Sequence, residues 1–211
     1  MKIRNVMTII RQRKTYLGLI SNHLRFSDTL GGGFWGSLTE EEECALTAVV
    51  KDFANGKGSI IEFGTLFGTT TLSIAENKSD SQRLITIDNY SWNPFMMSSE
   101  DHERFTKRCL RAVINNSDVE LFNIDADEFK LNWNGPRPEL VFLDADHRYD
   151  AVISDIKWAI KVKSKIVSGH DFSAEWPGVQ RAVVECFGSN FVTVGTLWWA
   201  WSANSHLFSE D

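Results

Sequence analysis

At 211 residues, with 43% hydrophobic and 24% charged residues, the chain is long enough for one domain with a well-buried core and has the balance of a soluble globular protein. No apolar run approaches the roughly 20 residues that span a bilayer, and three cysteines at wide spacing (Cys44, Cys109, Cys186) give neither a disulfide framework nor a zinc pattern. The net charge of −6 is uneven: residues 1–27 hold six basic residues and no acid, leaving −12 on an acidic body that argues against a nucleic-acid channel.

The N-terminus shows basic residues but no continuous apolar core with a cleavage site, so no secretory signal is expected and a reducing cytoplasm is the default location. Residues 3–24 read as amphipathic helices with Ile3, Val6, Ile9, Ile10, Leu17 and Leu24 on the apolar side. Residues 1–30 are therefore expected to form a helical extension whose basic face docks on the acidic body or contacts a second copy. The GGGFWG segment, Gly31 to Gly36, is an elbow, and residues 31–211 are expected to form a single domain. Next, TEEEECALTAVVKDFANG is a well-signalled helix: Thr39 and Glu42 make a capping box, Ala45, Leu46, Val49, Val50 and Phe53 make the stripe, and Asn55-Gly56 ends it.

From Ser59 short apolar runs alternate with helix-length segments. Strands are predicted at 59–63, 83–88, 119–124, 139–144 and 165–171, and helices near 69–77, 99–114, 150–162 and 178–187. The tail FVTVGTLWWAW supplies a further strand pair about Gly195, expected to carry an antiparallel edge strand. The fold class is therefore α/β: a doubly wound, mostly parallel, seven-stranded sheet of Rossmann-like type, with ligands at the carboxyl ends of the strands.

The first strand runs into Glu62-Phe-Gly64-Thr-Leu-Phe-Gly68-Thr69. The tight glycine pair of a dinucleotide fingerprint is missing, and no Gly-Lys-Ser/Thr follows, which disfavours NAD and removes the P-loop. Gly64 lets the backbone pass close to a ligand, Gly68 opens a helix whose amides can bind a carboxylate, and Glu62 offers a negative charge to an amine. A cofactor with an amine, a carboxylate and a sulfonium but no phosphate fits: S-adenosylmethionine. Asp88, ending the second strand, can accept the ribose hydroxyls, and Asp125, ending the third, the adenine amino group. A solvated strand-end acid or a helix cap is the competing reading of each.

These fragments, EFGTLFG, ITIDNY, ELVFLDADHRYDAVISDI and IVSGHDF followed by PGVQRAV, resemble class I S-adenosylmethionine-dependent methyltransferases, more narrowly the small-molecule O-methyltransferases of macrocin and sugar type, over roughly Phe34 to Leu197. The resemblance implies that Glu62, Gly64, Thr65, Gly68 and Thr69 surround the methionine part, Asp88 the ribose, and Asp125 with Ala126 the adenine. One departure is KVKSK, where the family shows a Lys-Pro-Gly-Gly turn before the fifth strand.

Asp144, Asp146, His147, His170 and Asp171 end adjacent strands and converge on one rim. Crowded carboxylates need a cation or a shared proton. Oxygen-rich ligation points to Mg²⁺, and a histidine tilts it towards Mn²⁺. In metal-dependent relatives the positions matching Asp144, His170 and Asp171 hold the ion. The competing reading is a hydrogen-bond network, with Asp144 positioning the cofactor amine. Methyl transfer needs alignment of nucleophile, methyl and sulfur, and removal of the acceptor's proton. Resemblance favours Asp146 as the base, while the ordinary pKa of His147 suits it better near neutrality.

The expected reaction is therefore O-methylation of a small hydroxylated acceptor such as a sugar or a natural-product intermediate. A cofactor-binding module without transfer activity and a metal-dependent hydroxylase-like enzyme are the alternatives. Of the eight tryptophans, Trp176 is assigned to the acceptor pocket because it follows His170-Asp171. SWNPF (91–95) is read as a turn, and His23, His102 and His206 as lone surface residues.

Overall fold

The structure is a computed structural model that describes residues 38–92, 97–116 and 118–206. The expected N-terminal helices, the elbow at Gly31–Gly36, the domain division at residue 30, His23 and Trp35 lie outside the described residues, as does the centre of the SWNPF turn.

The chain enters through α1 (Glu40–Ala48), capped as expected: Thr39 Oγ1 accepts from Glu42 N at 3.3 Å, and Glu42 Oε2 accepts from Thr39 N at 2.8 Å. A π-helical turn, Val49–Phe53, ends it. The alternation then runs β1 (Ile60–Phe63), α2 (Thr69–Asn77), β2 (Leu84–Ile87), α3 (Ser99–Cys109), α4 (Arg111–Asn116), β3 (Val119–Phe122), α5 (Ala126–Asn132), β4 (Leu140–Leu143), α6 (Tyr149–Lys161), β5 (Ile166–Gly169), α7 (Pro177–Phe187), β6 (Val192–Val194) and β7 (Leu197–Trp201).

The seven strands form one sheet in the order β3-β2-β1-β4-β5-β7-β6. Pairing is parallel from β3 to β5, and β7 is antiparallel to both β5 and β6. The tail pair therefore differs from expectation. The antiparallel strand is internal, and β6 is the edge. The residue run 197–201 is buried through Ala200, which suits a strand paired on both sides, whereas β6 is mostly exposed.

Strand alternation divides the core. Ile61, Phe63, Ile85, Ile87, Val141 and Leu143 face α5, α6 and α7, while Ile60, Leu84, Val119, Leu140 and Phe142 face α1, α2 and α4. Glu62 shares the second face and is fully buried.

Two helices depart from the sequence reading. The predicted 99–114 helix breaks at Leu110 into α3 and α4, and α5 was not predicted, its start being Asp125 acting as N-cap. The KVKSK segment makes the turn a glycine pair would make. Lys163 takes φ +59°, its N–H donates to Ile160 O at 2.9 Å, and Ser164 N donates to Ala159 O at 3.0 Å. This is a Schellman end to α6, with lysine in the left-handed position usual for glycine.

The sheet order reverses between β1 and β4, so the loops after β1, β2, β4 and β5 open a crevice at the carboxyl ends. No helix among the described residues is long and apolar enough to cross a membrane.

Candidate active site

The turn after β1 is built by steric exclusion as much as by hydrogen bonding. Gly64 has φ +97°, and a Cβ there would lie 2.1 Å from the carbonyl oxygen of Asp144. The close approach of the β4 end is by itself enough to require glycine here. Gly68 (φ +86°) is the N-cap of α2, and among the described residues no side chain caps that helix. The first-turn amides of α2 are thus left for an anion. Thr69 opens the helix half-buried, while Thr65 turns inward, its hydroxyl 2.6 Å from that of Thr86.

Glu62 lies beneath this turn with Oε2 accepting from Thr71 Oγ1 at 2.6 Å. Its Oε1 is buried and has no partner among the described residues. Burial pushes its pKa up to about 7, the Thr71 and Thr86 hydroxyls opposing and Asp144 and Asp88 adding to the rise. An orphaned carboxylate oxygen of this kind calls for a cation or donor nearby, which the ammonium and sulfonium of S-adenosylmethionine would supply.

Asp88 accepts from Leu66 N through Oδ2 and from Tyr90 N through Oδ1, both at 2.7 Å. A carboxylate has about four acceptor sites, so capacity for two hydroxyls remains. Asp125 accepts from Asp127 N at 2.8 Å as the α5 cap and from Asn89 Nδ2 at 3.3 Å, which ties the ends of β2 and β3 together. Ala126, half-buried, is the first residue of α5.

On the other side of the switch point, His147 Nε2 lies 2.6 Å from Asp171 Oδ2 and 3.8 Å from Asp144 Oδ1. Asp171 holds φ +61°. Ligand atoms of Asp144, His147 and Asp171 all lie within 4.8 Å of one another, a spacing that could hold a metal ion. His170, the histidine expected in that role, instead places Nε2 2.9 Å from Thr196 Oγ1 and 3.3 Å from Glu42 Oε2, with Nδ1 3.6 Å from Asp171 Oδ1.

Electrostatics follow this pairing. Burial raises Asp144 to about 7 against the pull of His170 and His147. His170 rises to about 9 although burial works the other way, because Asp171, Asp144 and Glu42 surround it. Glu42 falls to about 2 despite burial, held by N–H donors of Thr39 and Thr196 and by His170. Asp171 falls too, its own burial outweighed by hydrogen bonds to both histidines. His147 is also raised, burial notwithstanding, by Asp171 and Asp144. Asp146, expected as base, is clasped by Arg148, which donates from Nε at 2.9 Å and from a terminal nitrogen at 2.6 Å and holds its pKa down.

Trp176, half-exposed at the start of α7, stacks on His147 with ring centroids 4.3 Å apart. A cavity of about 400 Å³ lies elsewhere, between β2, the end of β3 and the loop after α5, lined by Phe122, Phe129 and Trp133. It contains no acid and none of the rim histidines.

Sequence reasoning missed Glu42 and Thr196 as site residues. Glu42 gave a signal only for its cap, and nothing local pairs it with a residue 154 positions away. It also misplaced His102, which is fully buried and 3.0 Å from Leu66 O, whereas His206 does lie at the surface.

The fold is that of class I S-adenosylmethionine-dependent methyltransferases, O-methyltransferases among them. The chain is similar to the O-methyltransferase from Bacillus cereus solved with S-adenosylhomocysteine (17% identity, 89% of this chain and 90% of that one, TM-score 0.62). It is similar to the O-methyltransferase of tomaymycin synthesis from Streptomyces achromogenes solved with S-adenosylmethionine (18%, 88% and 89%, 0.60). A TDP-rhamnose 3′-O-methyltransferase of calicheamicin biosynthesis matches over 89% of this chain and 93% of its own at 13% identity and a TM-score of 0.55. At such identities the likeness is one of fold. No protein-family profile matches the sequence, and no curated protein does.

Proposed function

We propose that the chain is a cytoplasmic S-adenosylmethionine-dependent O-methyltransferase acting on a small hydroxylated acceptor, a sugar or a natural-product intermediate. The observation that carries this reading is the set of acids at three successive strand ends around an uncapped helix start, with one buried Glu62 oxygen left without a partner. Glu62 and the α2 amides would receive the methionine end, Asp88 the ribose, and Asp125 with Ala126 the adenine. Bound there, the cofactor supplies an activated methyl group.

The chain's own work is then to align the acceptor oxygen and take its proton. We assign the proton to His147. With Nε2–H donated to Asp171 at 2.6 Å, the ring's Nδ1 is left as the basic nitrogen. Asp171 orients the ring and stabilises its charged form. Trp176, stacked on that ring, offers the acceptor an exposed aromatic face. Asp146 is the weaker candidate because Arg148 occupies both of its oxygens. With Mg²⁺ or Mn²⁺ bound instead, Asp144, His147 and Asp171 would hold the ion, His147 would serve as a ligand and no longer as the base, and the ion would lower the pKa of the acceptor hydroxyl.

The sugar O-methyltransferase among the structural neighbours supports the acceptor class. The test is incubation with S-adenosylmethionine and a panel of sugar nucleotides, glycosides and phenols, following S-adenosylhomocysteine by mass spectrometry. Acceptor-dependent product that disappears in His147→Ala supports the proposal. Cofactor binding with no acceptor-dependent product across the panel, with and without Mg²⁺ or Mn²⁺, counts against transfer activity.

A further inference from the structure

Leu66, in the middle of the turn between the two glycines, has φ +48°, a left-handed conformation uncommon outside glycine, asparagine and aspartate. Its own sequence neighbourhood does not account for this. The peptide groups on either side of its Cα are held from both directions. The N–H of Leu66 donates to Asp88, and its carbonyl oxygen accepts from Thr106 Oγ1 at 2.6 Å and from His102 Nε2 at 3.0 Å. His102 and Thr106 sit one turn apart on α3 and are both fully buried. A carbonyl can only accept, so Nε2 carries the ring proton. Burial presses its pKa down, which favours the neutral ring, and its Nδ1 has no partner among the described residues. The ring is wedged between Phe67 and Tyr90, with centroids 4.6 and 5.0 Å away.

We propose that His102 and Thr106 are positioning residues for the cofactor turn: from α3 they fix the Leu66 carbonyl, and with Asp88 they hold the Gly64–Gly68 backbone in its binding shape before the cofactor arrives. The proposal rests on reading that turn as the place of the cofactor. A strained residue persists only where its surroundings over-determine it, and here two side chains from a separate helix do so. A turn held in advance spares the ligand the cost of ordering it. Asp88 then has two duties, since the acid that would read the ribose also anchors the turn.

The test uses the full chain and S-adenosylhomocysteine. Thr106→Val, which keeps shape and removes the hydroxyl, and His102→Leu should each weaken binding about tenfold by calorimetry, the loss of one buried hydrogen bond. Thr106→Ser and His102→Gln, which return a donor to the same place, should recover most of it. Amide exchange at Leu66–Thr69 should speed up in the first two variants and not in the second two, with or without ligand. Variants that lose thermal stability while affinity and turn exchange stay at wild-type values would overturn the proposal and leave the two residues as core packing. If the wild type binds no S-adenosylhomocysteine, the cofactor reading fails, and exchange at the turn alone decides whether the clamp exists.

Discussion

The two halves of the sheet's carboxyl edge treat their acids differently. Beyond β2 and β3, carboxylates are fixed mainly by backbone N–H groups, Asp88 by Leu66 and Tyr90 and Asp125 by Asp127, while Glu62 on β1 is held by the Thr71 hydroxyl. Beyond β4 and β5, Asp144 and Asp171 are paired side chain to side chain with imidazoles and Asp146 with Arg148, and the imidazole network reaches back to Glu42 on α1. Backbone donors set a fixed geometry with no titratable partner, which suits an invariant ligand. Histidine–carboxylate pairs set a geometry that also stores a proton, which suits chemistry.

If that division is right, its largest consequence lies in the second half. His147→Ala should lower kcat on the true acceptor by about 10²–10⁴-fold while S-adenosylhomocysteine affinity stays near wild type, as steady-state kinetics and calorimetry would show. An equal loss in affinity would blur the division.

Next comes Glu42→Ala, which strips the partners of His170, Thr196 N and Thr39 N at once. Removing one side of a buried charged pair costs about 3–4 kcal/mol, and denaturant unfolding should show it.

Glu62 probes the first half through pH. Unfolded it ionises near 4.5, folded near 7. Its ionisation therefore costs nothing below 4.5, an increasing amount between the two values, and the full amount above 7. Glu62→Gln, neutral throughout, should gain stability relative to the ligand-free wild type between about pH 5 and about pH 8, by up to about 3 kcal/mol. A difference that is flat with pH would show that the carboxylate is not desolvated.

The smallest effect belongs to the exposed Arg83–Glu120 pair at the β2–β3 edge, where Arg83→Ala should shift stability by less than about 1 kcal/mol.

What the sequence disclosed divides along the same line. Apolar runs located all five parallel strands to within about two residues, and the Thr39–Glu42 capping box is where its spacing put it. Asp88 and Asp125 stand at the crevice because strand ends are a local property. The position of β7 inside the sheet was not readable, since no local pattern says which strand a segment will pair with. The hub at Glu42 is hidden for the same reason. His102 was readable but overlooked: in SEDHERFTKRC the charged residues dominate, yet His102, Thr106 and Leu110 follow one another at helical spacing and are all buried. α5 was overlooked because seven residues carry too little periodicity, although Asp125 with Glu128 is a capping signature.

The most direct test of the central claim, that the turn after β1 and the acids beyond β2 and β3 receive a sulfonium nucleoside, is competitive calorimetry on the wild type and Asp88→Ala with S-adenosylhomocysteine, NAD and ATP. The account predicts binding of S-adenosylhomocysteine alone, weakened at least tenfold by Asp88→Ala. Tight binding of NAD or ATP with no response to S-adenosylhomocysteine would contradict it.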